Sequence, residues 1–353
     1  MRAVVALFLL GAGVCAAENV VVYKETGRFG GWPANNGIWS WGDEIVVGFS
    51  LGYFKVNPSG HAIDGQKPQA PRFARSLDGG RTWKIEIPSF LDDDGKEKEA
   101  ADCPGGIDFT DPNFAMTLRM VSSRRGFSRF YYSTDRAHKW HGPYKLPTFD
   151  RPGIAARTDY IVNGKHDLMA FITASKENGR EGRVFCTRTT DGGKTWNLVA
   201  WIGPEPTGFA IMPSSVRLSP TEILTAIRRE EGKEHWIEGW LSEDNAATWH
   251  QIARPAESTG GSVGNPPSMI RLRDGRLAVT YGYRSAPYGI RARISSDGGR
   301  SWGSEIMLRD DAGCWDLGYP RTVQRADGKI VTVYYFNDDP KTERYIAATI
   351  WKP

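Results

Sequence analysis

Beyond Val14 the chain has no apolar run that reaches the ~18 residues needed to cross a bilayer as a helix. That excludes a spanning helix from the rest of the sequence. Cysteine is scarce, at four residues in 353. One, Cys15, lies in the N-terminal apolar segment; the other three, Cys103, Cys186 and Cys314, stand far apart. An odd number of scattered cysteines is not a disulfide framework, and no pair has the spacing of a metal site. Metal motifs, phosphate-binding glycine loops and nucleotide fingerprints are also missing, so no cofactor is expected and the chemistry falls to side chains alone. Charge of one sign is not concentrated anywhere. The 45 Lys and Arg are interspersed with 41 Asp and Glu, giving a net charge of +4. Without a basic stripe a nucleic-acid partner is not expected, and the small excess is read as a hint of an anionic ligand.

The apolar run that does occur is N-terminal. Met1–Arg2 precede an apolar segment from Ala3 to Val14 and the small residues Cys15-Ala16-Ala17. This order predicts a secretory signal peptide over residues 1–17, leaving 18–353 as the working domain, exported and secreted or periplasmic. That domain is rich in turn formers and aromatics, with 40 Gly, 21 Pro and 13 Trp in the chain. Such a composition favours many short strands over helices.

Five octapeptides share one pattern: SLDGGRTW from Ser76, STDRAHKW from Ser133, TTDGGKTW from Thr189, SEDNAATW from Ser242 and SSDGGRSW from Ser295. Their starts are 57, 56, 53 and 53 residues apart, and a fixed period near 50 signals a propeller or solenoid. The aspartate can accept backbone N–H groups in a tight turn, glycine supplies positive φ, and tryptophan packs against the blade. Asp78, Asp135, Asp191, Asp244 and Asp297 are therefore read as turn residues rather than catalytic acids. Apolar strands following turns recur between the boxes, for example RDGRLAVTYGY from Arg273 and RADGKIVTVYYF from Arg325. Six such strands predict an all-β, six-bladed β-propeller in which one blade lacks a box. The early strand from Asn19 to Tyr23 is expected to complete the last blade, closing the ring and removing a sheet edge.

In such a ring, polar side chains at one end of the inner strands converge on the axis. Arg28, Trp32, Asn35, Asn36, His61 and Asp64 are the candidates from the first blade, and Asp108 and Asp111 those from the second. Arg157 and Asp159 come from the third, and Arg228, Arg229 and Glu230 from the fourth. Asn265, Arg284 and Arg291 belong to the fifth, and Asp316, Tyr319 and Arg321 to the sixth. Arginines from several blades around one axis would be costly unless they bind an anion, and their planar fork suits a carboxylate.

The boxes, the blade count and the export signal together resemble the bacterial exo-sialidases, over nearly the whole of residues 18–353. This resemblance implies three arginines on the substrate carboxylate, an aspartate acid/base, and a tyrosine nucleophile assisted by a glutamate. A neutral phenol meets less repulsion than a carboxylate would at an anomeric carbon that already bears one. Carried over residue by residue, Arg28 in GRFGGWPANN resembles the first arginine, although the usual Arg-Ile-Pro is absent. Arg228, or its neighbour Arg229, resembles the second, and Arg284, with Arg291 as rival, the third. Asp64 in HAIDGQKP falls where the acid/base is expected, with His61 as runner-up. Tyr319 in DLGYPRTVQ matches the nucleophile. Arg321, Asp159 and Trp32 complete the expected substrate-binding set.

The glutamate departs from the pattern, because its position falls near Met212, which cannot be a base. Glu230, Glu238, Asp159, Asp108 or Asp316 would have to substitute, or the reaction would run by inversion with an acid and a water-activating base. The resemblance thus implies a divergent glycoside hydrolase that removes terminal sialic acid, or a related nonulosonic acid, from anionic glycans. A different exo-glycosidase, a uronate-specific lyase and a non-catalytic glycan-binding propeller are the alternatives.

Overall fold

The structure, a computed structural model, describes residues 17–58, 60–91, 96–261 and 263–353. The expected signal peptide, apart from Ala17, lies outside the described residues. Six antiparallel sheets follow one another along the chain and form the six blades. Blade I runs from Arg28–Gly31 to Lys84–Glu86, and blade II from Ala115–Met120 to His141–Lys145. Blade III spans Ile154–Ala155 to Asn197–Trp201, blade IV Phe209–Arg217 to His250–Ala256, and blade V Ser268–Arg271 to Ile306–Arg309. Blade VI contributes Gly318–Gln324, Ile330–Phe336 and Tyr345–Trp351.

The fourth strand of blade VI comes from the other end of the chain. Glu18–Tyr23 pairs antiparallel with Tyr345–Trp351, with Glu18 opposite Ile350 and Val21 opposite Ala347. A second bond crosses the same seam, where the Gly30 N–H of blade I donates to the Arg344 carbonyl at 2.7 Å. The edge of blade VI is thereby covered and the ring is closed. Between blades, short hydroxyl bonds join the segments near the axis: Thr117 and Thr158 both donate to the Asn36 carbonyl at 2.8 Å, and Thr280 meets Thr322 at 2.7 Å. The apolar layers between neighbouring sheets are filled by residues such as Ile172, Leu224 and Val333, all fully buried.

The boxes form turns with one recurring bond set. In the third, the Thr189 hydroxyl accepts the Gly193 N–H at 2.9 Å, and Asp191 Oδ1 accepts the Lys194 and Thr195 N–H groups, each at 3.0 Å. The Thr195 hydroxyl closes on Asp191 Oδ2 at 2.6 Å, and Trp196 Nε1 reaches the Gly193 carbonyl at 3.1 Å. The two boxes without glycine keep the same backbone. Arg136 and Ala137 (φ 59° and 66°), like Asn245 and Ala246 (φ 59° and 73°), adopt the left-handed conformation that glycine takes elsewhere. These aspartates serve turns. The Thr248 hydroxyl and N–H hold Asp244 down at about 2, and Asp78 and Asp191 also fall to about 2, where slight burial is outweighed by the bonds of Thr82 and Thr195.

A carboxyl depressed in the folded state contributes stability that is complete above its unfolded value and is lost as pH falls through the folded one. Asp191→Ala is expected to cost about 1–2 kcal/mol, the scale of a lost capping oxygen, as a lower denaturant midpoint at pH 7. The gap from wild type should close between about pH 4 and pH 2 as Asp191 protonates.

Candidate functional site

Tyr319 opens the inner strand of blade VI in a strained backbone state. Its φ is 51°, in the left-handed region. Its N–H donates to Asn265 Oδ1 at 2.9 Å, and Asn265 in turn holds the Leu317 carbonyl through Nδ2 at 2.9 Å. The preceding residue must be glycine: at Gly318, φ 103°, a Cβ would stand 2.3 Å from Asn265 Nδ2. Met212 in blade IV and Trp32 in blade I share the left-handed backbone, at φ 55° and 58°. Strain of this kind costs of order 1–3 kcal/mol per residue and clusters where side chains are aimed for function.

Two buried guanidiniums flank the phenol. Arg228 donates from Nη1 to Tyr319 Oη at 3.0 Å and from Nη2 to the Val263 carbonyl. Arg284 holds the Gly264 and Leu317 carbonyls and donates to Tyr335 Oη at 2.8 Å, its guanidinium 5.5 Å from the Tyr319 ring centroid. Neither forms an ion pair among the described residues, although each is at most 4% exposed. Arg157 of blade III adds a third positive field. It donates to Asn35 Oδ1 at 3.1 Å and lines a cleft with Trp32 and Asn36. Burial alone would raise the Tyr319 phenol, but Arg228, Arg284 and Arg157 outweigh it and draw the phenol below its ordinary value.

The second centre is a histidine–carboxylate pair across the seam between blades I and VI. His61 Nδ1 lies 2.6 Å from Asp316 Oδ1. Asp316 also accepts the Tyr335 hydroxyl at 2.8 Å, the Ala62 N–H at 2.9 Å and Arg344 Nε at 2.9 Å. Those bonds, led by that of His61, and the Arg344 charge outweigh the cost of burial and keep Asp316 ionised well below the carboxylate range. An ionised carboxylate only accepts, so His61 carries its proton on Nδ1 and leaves Nε2 as a lone-pair acceptor. Burial lowers the His61 value; Asp316 opposes this, while Arg284 and Arg228 add to it. The imidazole is therefore neutral near pH 7. Its ring sits 5.3 Å from Trp32, 5.7 Å from Trp315 and 6.2 Å from Tyr319.

Of the residues expected from sequence, His61, Trp32, Arg228, Arg284 and Tyr319 meet here. The rivals do not join them: Arg229 is paired with Glu238 at 3.1 Å, and Arg291 with Glu305 at 3.3 Å. Four expected residues are placed elsewhere. Arg28 bonds the Gly52 carbonyl at 2.9 Å and stacks on Tyr53 at 4.2 Å, in a trough between blades I and II. Asp64 serves its own loop, accepting the Gln66 N–H at 3.1 Å and facing Lys55 at 3.8 Å. Asp159 accepts the Ser215 N–H and hydroxyl, and Arg321 donates to the Ala34 and Thr158 carbonyls. This last pair braces the ring wall. Burial pushes Asp159 up to about 7 against the pull of Arg321, and burial brings Arg321 down to about 10.

Sequence reasoning missed the supports. Tyr335 reads as one more residue of an apolar strand, and Arg344 sits in an ordinary-looking loop. Arg157 was among the inner-strand candidates but outside the carboxylate-binding set, because no arginine at its place was expected. Met212 stands where the glutamate was sought, buried beside Tyr319 with its sulfur 3.7 Å from Arg228 Nη1.

Because the arginines depress it, Tyr319 should ionise below pH 10, seen as the ultraviolet phenolate difference between wild type and Tyr319→Phe. Arg228→Met should move that transition upward.

Comparisons with known proteins agree with this architecture. No curated protein matches the sequence. A protein of unknown function from Dyadobacter fermentans superposes with TM-score 0.73 at 20% identity, covering 96% of this chain and 99% of that one. The NanB sialidase from Streptococcus pneumoniae gives TM-score 0.61 at 12% identity over 90% of this chain and 68% of that one. The α-L-arabinofuranosidase Arb93A from Fusarium graminearum gives 0.59 at 14% identity, over 95% and 97%. At such identities the likeness carries the fold, a propeller shared by sialidases and arabinan-cleaving enzymes. Residues 109–332 match the family model described as a BNR repeat-like domain, and the chain belongs to that family.

Proposed function

We propose that the protein is a glycosidase acting on a carboxylate-bearing sugar, and that it releases terminal sialic or a related nonulosonic acid from exported or surface glycans. The observation that supports this most is the Arg228–Tyr319 bond at 3.0 Å, set in the joint field of Arg228, Arg284 and Arg157. A tyrosine nucleophile ordinarily needs a base to generate phenolate. Met212 removes a carboxylate from that role, and the cationic field supplies the same driving force by stabilising the phenolate directly. Those guanidiniums also suit the substrate carboxylate.

His61 manages the proton in this reading. Its free Nε2 takes the Tyr319 hydroxyl proton as Oη bonds to the anomeric carbon, then gives that proton to the departing glycosidic oxygen. Water then attacks the glycosyl–tyrosine, His61 accepts its proton, and Tyr319 leaves and is reprotonated. Asp316 fixes the imidazole tautomer throughout.

The same neutral imidazole favours one other reading. A neutral base, an acidic phenol and paired arginines are also the parts needed to remove a proton α to a uronate carboxylate and eliminate the 4-linked sugar. The two reactions give different products. Sialosides of varied linkage are expected to release free nonulosonic acid, with Tyr319→Phe slower on the order of 10³-fold and His61→Ala on the order of 10²–10⁴-fold. Activity should fall as acid protonates His61, with a midpoint below the ordinary histidine value. Unsaturated uronate from a uronan, with no acid released from any sialoside, would replace hydrolysis with elimination. If neither product forms, the enzyme assignment fails.

A further inference from the structure

The axial site borders an open cleft through Trp32, whose ring is 5.3 Å from that of His61. The cleft that holds Trp32 and Arg157 also contains Gln69 and Arg119, and Gln69 reappears in the wall of the trough between blades I and II. The two spaces are bridged again where Arg119 Nε meets Glu97 at 3.0 Å. The inner cleft, at ≈ 190 Å³, falls below the ~300–1,000 Å³ usual for a small-molecule site, whereas the trough holds ≈ 670 Å³. Room for a ligand therefore lies mostly in the trough rather than in the cleft beside Trp32 and Arg157.

The walls of this groove are basic. Arg157 and Arg119 lead outward to Arg129, Arg72, Arg28 and Lys96, and among the described residues Glu97 is the carboxylate that lines either space. Glu97 is shared by Arg119 and Arg129 and also accepts the Tyr131 hydroxyl at 2.8 Å. Arg28 and Arg72 form no ion pair among the described residues, and both line the groove while donating to the Gly52 and Pro71 carbonyls respectively. Tyr53 lies between Arg28 at 4.2 Å and the Lys67 ammonium at 4.8 Å, giving the floor an aromatic face. Arg28 and Arg72 repel one another with no carboxylate on either among the described residues, which lowers stability unless an anion is brought to them.

We infer that the groove between blades I and II binds the following units of an acidic oligosaccharide, so that the substrate is a polyanionic chain whose end sugar enters the axial site. Arg157 and Arg119 would meet the unit next to the scissile bond, and Arg28, Arg72 and Arg129 the carboxylates or sulfates further along. This inference deepens the reading given above and rests on it for the identity of the axial site, but its test needs no turnover.

Binding of two carboxylate ladders to the Tyr319→Phe protein is measured by calorimetry: α-linked oligosialic acids and oligogalacturonates, each of one to six residues, with neutral oligosaccharides of equal length as controls. On at least one acidic ladder the affinity is expected to rise roughly tenfold or more from one residue to four, and to weaken with added salt. The Arg28→Gln/Arg72→Gln double variant, its folding checked by thermal midpoint, should flatten that rise. A flat profile on both acidic ladders overturns the inference, as does an equal rise on the neutral ladder or a rise that survives the double variant. A chain-length effect without product from any glycan would leave the groove standing and sink the catalytic reading. Turnover with a flat profile would do the reverse.

Discussion

Ring closure is the constraint on which the rest depends. Six sheets can surround an axis only if the last is held against the first, and here the strand Glu18–Tyr23 does that by completing blade VI. The His61–Asp316 pair straddles the same seam. His61 comes from a loop of blade I, whereas Asp316, Tyr319 and Tyr335 come from blade VI. A propeller whose seam opened would keep five blades and their boxes but lose the 2.6 Å contact that sets the histidine tautomer.

Within the ring, charge is arranged against the usual rule for burial. Guanidiniums at most 4% exposed normally sit on carboxylates, because removing an ion from water costs several kcal/mol. Arg291, equally buried, obeys that rule through Glu305, and the partly buried Arg229 pairs with Glu238. Among the described residues Arg228 and Arg284 hold carbonyls, phenols and a thioether and no carboxylate, so their charge remains available on the axis. Met212 belongs to the same arrangement. A carboxylate in its place would neutralise Arg228, whereas the thioether leaves the full positive field on Tyr319.

The fold was legible because it repeats. Five boxes at near-constant spacing and a run of apolar strands define blade count and closure, since every copy obeys the same turn chemistry. The site does not repeat, and only part of it could be read. Tyr319, Arg228 and Arg284 stand at inner-strand ends where the sequence offers polar residues in an apolar setting. Arg28 and Asp64 misled because loop length does not reveal which way a loop leans. Arg28 turns outward onto Tyr53, and three residues before Asp64 it is His61 that reaches the axis. Asp159 and Arg321 look like site residues by charge but brace the ring wall, a distinction that only their bonds to Ser215 and to the Ala34 and Thr158 carbonyls make. Tyr335 and Arg344 carry no signal at all, because their roles arise from strands brought together by closure.

Arg344 ties two scales of the molecule into one residue. Its carbonyl receives Gly30 across the seam at 2.7 Å, and its Nε holds Asp316 at 2.9 Å. Fraying at the chain ends, where local opening is cheapest, thus reaches the imidazole through a single side chain. Heat or denaturant would disorder the axial site while the inner blades are still folded, so loss of the site and loss of sheet would be separate transitions and the strand pair that closes the ring would set the lower one.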